Sequence, residues 1–195
     1  MEQCATYLAR RPASYLYSLM LMIVMGTACT MIDGAPEGQE SSFGFGRPAS
    51  DMDIQPWNID VAPNGDGLPP GRGTAFEGAR IYAAKCAGCH GPTGVEGPLD
   101  RLVGGYGTLA TEQPIKTVGS YWPYATTLYD YIYRAMPFTA PQSLTPDEVY
   151  SLVAWILSQN KIIAEDAVMD AKSLPLVQMP NQNGFVPEPR PGSTQ

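Results

Sequence analysis

The chain has 195 residues, 12 Lys and Arg against 19 Asp and Glu, a net charge of −7, and 44% hydrophobic residues. That length allows one domain with generous extensions or two small ones, and the acidic balance excludes a nucleic-acid binder, which needs a basic surface against a polyanion. With 19 prolines and 20 glycines, well above ordinary usage, the composition predicts long irregular segments around a modest core.

The N-terminus comes first. Arg10 and Arg11 precede an apolar run from Tyr15 to Ala28, shorter than the roughly 20 residues of a membrane span. This pattern predicts an export signal over residues 1–29 and, with it, a periplasmic location. Small residues stand directly before Cys29, as at a bacterial lipoprotein processing site, with Gly26 where a leucine-like residue is usual. Three outcomes stay open: lipidation of Cys29 and a membrane tether, ordinary cleavage nearby, or an uncleaved anchor reaching Ile32.

Residues 30–72 hold seven acidic and two basic residues, show no apolar period and are dense in Gly and Pro. They read as an irregular acidic arm. A second, Pro-rich arm is expected over 163–195. Between them, residues 73–162 carry six basic and seven acidic residues, so most of the net charge lies outside this core. Its two ends are helical by pattern. Thr74 with Glu77 forms a capping box ahead of one helix, and Thr145 with Glu148 forms a second, followed by Pro146 at the first helical position. In the later helix Val149, Leu152, Val153 and Ile156 repeat at i, i+3, i+4, i+7, with Trp155 widening the stripe, which predicts one buried face. Asn160 is its expected stop.

The first of these helices runs into Cys86-Ala87-Gly88-Cys89-His90, which contains the only histidine of the chain. A C-x-x-C alone is ambiguous among a redox disulfide, half a zinc site and an accident of packing. An adjacent His makes it the attachment signature of a c-type haem: two thiols add across the porphyrin vinyls, and the imidazole reaches the iron from one face. A zinc site needs a fourth ligand that the surrounding sequence does not offer. A thioredoxin-like dithiol is expected within a βαβ unit, and no such pattern surrounds this one.

For the sixth iron position, a second histidine is excluded by composition. Three methionines follow the motif: Met136, Met169 and Met179. Met136 lies in a loop stiffened by Pro137 and Pro141, between the haem motif and the last helix, and is the candidate thioether ligand. As mere core filler it would leave the iron an open face. Met169 and Met179 fall in the C-terminal arm. Trp122, Tyr124, Tyr129, Tyr131 and Tyr133 crowd the stretch before Met136; they read as the covering of a large apolar ring, one or two of them hydrogen-bonding its propionates, with Trp122 and Tyr124 candidates for the haem environment. Arg134 is either a propionate partner or an exposed charge.

The stretch from Phe76 to Leu99, the Arg134–Phe138 loop and the helix from Pro146 to Ile156 together resemble a class I cytochrome c, over about 90 residues. The resemblance implies an all-α fold around one covalent haem c, flanked here by long irregular arms. It implies that Gly78 and Tyr82 of the first helix pack on Trp155 of the last. It further implies that the Pro98 carbonyl accepts the hydrogen bond of the axial imidazole, an outer contact that orients the ring and raises its basicity. A narrower likeness spans residues 73–190. It is similar to the monohaem cytochrome subunit or domain of sulfur and sulfite dehydrogenases, which include the D component of the Sox system.

What that resemblance implies is outer-sphere electron transfer. The expected partners are a molybdopterin dehydrogenase subunit as donor and a downstream cytochrome or oxidase as acceptor, with the two arms wrapping the partner. No residue set reads as a nucleophile or an acid-base pair, so substrate chemistry is assigned to that partner. Two alternatives stand beside it: a freestanding or tethered shuttle to a respiratory complex, and a haem sensor or enzyme with an open sixth site.

Overall fold

The computed structural model describes residues 45–188. The export signal, Cys29, the first part of the acidic arm and the last seven residues lie outside them. The chain divides between Pro48 and Ala49 into two units. Of the first, residues 45–48 are described, and they are exposed and non-helical.

In the second unit a short helix α1 (Asp51–Ile54) and a strand β1 (Arg72–Thr74) precede helix α2 (Ala75–Lys85), the single turn α3 (Ala87–His90), helix α4 (Ala125–Ala135) and helix α5 (Pro146–Gln159). Strand β2 (Val168–Asp170) and a 3₁₀ turn at Leu174–Leu176 follow. The architecture is mostly helical, as the sequence predicts. Among the described residues the strands form a two-stranded antiparallel clasp with Gly73 opposite Met169.

Both capping boxes form. The Thr74 hydroxyl accepts from the Glu77 N–H at 3.3 Å while the Glu77 carboxylate accepts from the Thr74 N–H at 3.0 Å. At α5 the Thr145 hydroxyl accepts from the Glu148 N–H at 3.3 Å and Glu148 accepts from the Thr145 N–H at 2.9 Å. Each box satisfies amide donors that the first helical turn leaves without a partner. Where α2 crosses α5, Gly78 permits contact of the two backbones: a Cβ there would collide with the Ser151 carbonyl and approach the Trp155 Cβ to 2.7 Å. On the same crossing Tyr82 stacks on Trp155 with ring centroids 3.8 Å apart.

Helix α5 departs from its sequence pattern. One buried face was expected; instead every residue from Val149 to Ser158 is buried. The reason lies in the arms. Residues 61–71 are irregular, whereas 163–182, expected to be irregular throughout, hold β2 and the 3₁₀ turn; both segments lie on this unit and extend it beyond 73–162. Tyr150 on α5 donates to the Pro69 carbonyl at 2.9 Å, Thr126 to the Pro63 carbonyl at 3.1 Å, and Asn181 to the Tyr121 carbonyl at 2.8 Å. Met169, Leu174 and Met179 of the C-terminal arm are buried in the common core, against which Val61 and Leu68 of the N-terminal arm also pack. Burial of these apolar groups, worth about 1.5–3 kcal/mol for each large side chain fully removed from water, holds the arms down together with the short β1–β2 ladder.

Candidate cofactor site

The C-x-x-C-H motif sits where α2 gives way to α3. Cys86 caps both helices, its N–H bonded to the Tyr82 carbonyl at 2.8 Å and its own carbonyl accepting from Cys89 and His90 at 3.1 and 3.0 Å. One tight turn therefore carries both thiols and the imidazole. Both cysteines are free, Cys86 half-buried against the core and Cys89 exposed. Burial pushes the Cys86 thiol up to about 11, partly offset by Lys85. That is opposite to the depressed thiol of a redox-active dithiol. Among the described residues no three His, Cys, Asp or Glu side chains converge as a metal-binding set. Two thiols and an imidazole on one turn suit a porphyrin, whose vinyl groups and iron are distinct attachment points.

The His90 ring is oriented by its Nδ1, 2.7 Å from the Asp100 carbonyl. A carbonyl only accepts, so Nδ1 carries the proton and Nε2 keeps the lone pair a metal requires. The acceptor corrects the sequence expectation of Pro98. The Leu99 N–H bonds back to the Cys89 carbonyl at 3.0 Å, and the chain then presents the carbonyl of Asp100, two residues past Pro98, to the ring.

Above this turn, the Tyr82 hydroxyl donates to the Gly91 carbonyl at 2.9 Å. Burial, with smaller contributions from Cys86 and Glu96, raises its pKa to about 12, so it remains a donor. The loop continues with the Leu102 and Val103 N–H groups on the Gly94 carbonyl at 2.8 and 3.1 Å.

Met136 caps the C-terminus of α4, with its N–H on the Ile132 carbonyl at 3.0 Å, and it is half-buried against the core. The peptide bond to Pro137 is cis. The other downstream methionines have structural places: Met169 and Met179 are 5% and 4% exposed within the core. Apolar side chains flanking the two ligand candidates stay open to solvent. Leu99, tied to Cys89, is 56% exposed, and Phe138, two residues past Met136, is 79% exposed. Such flanks suit coverage by a large flat apolar group.

The aromatic stretch divides. Trp122 is half-buried and meets Tyr131 edge to face at 5.6 Å. Tyr124 is half-buried at the N-cap of α4 and faces arm residues Pro63, Asn64, Pro175 and Gln182. Tyr129 is fully buried beside Tyr150, centroids 4.5 Å apart, and its hydroxyl lacks a hydrogen-bond partner; burial raises its pKa well above the tyrosine range. For Tyr129, packing decides. Arg134 pairs with Asp60 at 2.8 Å and with Asp130 one turn back, and Asp130 also accepts the Val61 N–H at 2.9 Å. It ties the N-terminal arm to the helix that ends in Met136.

Sequence reasoning missed Asp100, whose contribution is a backbone carbonyl and leaves no mark in residue type. It read Asn160 only as a helix stop.

A helix pair crossing at Gly78, a C-x-x-C-H turn with its imidazole already oriented, and a methionine at the end of α4 define a class of protein. The chain belongs to the class I c-type cytochromes, a family of covalent haem proteins, and with one attachment motif it is a monohaem electron carrier. The family described as cytochrome C oxidase, cbb3-type, subunit III, matches residues 73–156. The sulfane dehydrogenase SoxCD from Paracoccus pantotrophus, known from its crystal structure, has a chain 39% identical to this one, with a TM-score of 0.70 over 75% of this chain and 72% of that chain. None of the curated proteins is similar enough to count as a match.

Proposed function

We propose that this cytochrome is the electron-accepting subunit of an exported, molybdenum-dependent dehydrogenase of sulfur compounds, and that it passes electrons to a downstream cytochrome or oxidase. The reach of the likeness to the sulfane dehydrogenase carries this reading. It covers three quarters of the chain, where the cytochrome family alone accounts for residues 73–156. The likeness therefore includes arm sequence, which a generic electron shuttle does not need. The basic pair and apolar run before Cys29 support the exported location.

A bound haem c supplies a one-electron ferrous/ferric couple. Cys86 and Cys89 would hold it as thioethers, and His90 Nε2 and the Met136 sulfur would bind its iron. Asp100 keeps the His90 ring in the ligating tautomer. The core beneath Cys86 and Met136 supplies a rigid, low-dielectric wall, which limits reorganisation as the charge changes.

The test is native purification followed by reduction. A stable complex with a molybdopterin protein, in which a sulfane or sulfite substrate bleaches the ferric spectrum, is the expected result. A lone cytochrome of about 20 kDa that such substrates leave oxidised, with or without the partner fraction, would overturn the proposal in favour of a freestanding shuttle.

A further inference from the structure

The carbonyl that holds the His90 ring belongs to Asp100, an exposed residue in a loop without secondary structure. Its direction depends on what fixes the chain on either side. On one side, Leu99 is held by the Cys89 carbonyl. On the other, Leu102 is held twice: its N–H bonds the Gly94 carbonyl at 2.8 Å, and its carbonyl accepts from Asn160 Nδ2 at 3.2 Å. Asn160 Oδ1 also accepts the Gly104 N–H at 2.9 Å, and Nδ2 donates to the Ile156 carbonyl of its own helix at 2.9 Å.

One amide thus locks the end of α5 to a loop 56 to 58 residues away in sequence. The chain closes around it. Gly119 runs so near that a Cβ there would sit 2.6 Å from the Asn160 Cγ. Thr117, itself buried, donates to the Gly104 carbonyl at 2.5 Å. The loop is held from within by backbone bonds and at its start by Leu99 on Cys89 and Tyr82 on Gly91; Asn160 ties its farther part to the end of α5.

We propose that Asn160 is a positioning residue for the axial imidazole: by fixing Leu102 and Gly104 it aims the Asp100 carbonyl at His90 Nδ1. The proposal rests on His90 being the iron ligand. A strong Nδ1–H···O bond makes the imidazole a more basic ligand and stabilises the ferric state. A slackened loop weakens that bond and raises the reduction potential, although Asn160 has no contact with the ring.

The experiment uses the full-length, haem-loaded protein with three substitutions. Asn160→Ala removes all three bonds. Asn160→Asp keeps an acceptor for Gly104 and loses both donations. Ser158→Ala, which deletes only a hydroxyl bond to the Trp155 carbonyl on the same helix, controls for general loosening. The readouts are the reduction potential and the solvent exchange of the His90 ring N–H in the reduced protein by NMR.

Asn160→Ala is expected to raise the potential and to speed that exchange about tenfold, the equivalent of losing one hydrogen bond. Ser158→Ala keeps both at wild-type values whatever its melting temperature. Wild-type potential and exchange in Asn160→Ala overturn the proposal. Should that variant not fold, Asn160→Asp decides: faster ring exchange supports the proposal and a wild-type rate overturns it. A wild-type haem spectrum lacking a histidine ligand overturns the ligand assignment itself, and is read before any variant.

Discussion

Tyr82 joins the two halves of the cytochrome core to its cofactor loop: its ring lies 3.8 Å from that of Trp155 on α5, and its hydroxyl donates to the Gly91 carbonyl directly after His90. Tyr82→Phe keeps the stack and deletes the bond. It should cost about 1 kcal/mol, the usual net value of one hydrogen bond. Tyr82→Ala should cost about 3–5 kcal/mol through the cavity left against Trp155. Denaturant titration of the haem-loaded protein measures both, and equal losses in the two variants would contradict the division.

The crossing of α2 and α5 leaves no space at Gly78. Gly78→Ala places a methyl against the Ser151 carbonyl, backbone that cannot yield without shifting a helix. A loss of about 1–3 kcal/mol is expected from overpacking, read as a lower melting temperature. A neutral or stabilising Gly78→Ala, the ordinary outcome in an exposed helix, would show that the two helices are not in contact there.

Alkaline stability should reflect Tyr150. Burial, and to a lesser degree Asp170, raises its hydroxyl from 10.0 to about 12. Below pH 10 the hydroxyl is protonated in both folded and unfolded chains, so its contribution is intact. Between 10 and 12 only the unfolded chain gives up the proton, and folding loses up to about 2.7 kcal/mol. Tyr150→Phe loses its bond to Pro69 at neutral pH but should show a shallower decline above pH 10. Parallel alkaline limbs in the two proteins would refute this assignment.

Lys85 and Glu148 pair across the helix crossing at 2.7 Å, partly exposed. The Lys85 ammonium, followed by the Thr145 N–H, lowers the Glu148 pKa below 4.5. Stability from the pair is therefore present above pH 4.5 and fades as pH falls through the lower folded value. Being near the surface, it is worth no more than about 1 kcal/mol. Lys85→Met should lose that amount at pH 7 and nothing in strong acid, as a double-mutant cycle with Glu148→Gln would measure.

The methionines separate by spectrum and stability. Met136→Leu should abolish the near-infrared sulfur-to-iron band and lower the reduction potential, with the thioether removed from the iron. Met169→Leu, a near-isosteric change in the core, should leave the spectrum intact and cost under about 1.5 kcal/mol. The reverse pattern would move the ligand assignment to the C-terminal arm.

Local chemistry was legible in the residues themselves. The C-x-x-C-H turn, both capping boxes and the helical state of α5 are determined over a few adjacent positions, because covalent spacing and the helical repeat act at short range. The crossing at Gly78 and Tyr82 was legible only through resemblance to a family. What tertiary structure alone decided are contacts made between distant parts of the chain. Which carbonyl meets His90 depends on how a loop without periodicity is pinned, and the answer is Asp100, not Pro98. Whether the acidic and Pro-rich arms stand away or lie down depends on scattered apolar residues, Val61, Leu68, Met169, Leu174 and Met179, finding one shared core. Composition describes those arms as irregular and gives no sign of the β1–β2 pairing or of the 3₁₀ turn at Leu174–Leu176. It cannot say that α5, buried on every side, offers them a surface, because burial is a property of the assembled chain and not of any stretch within it.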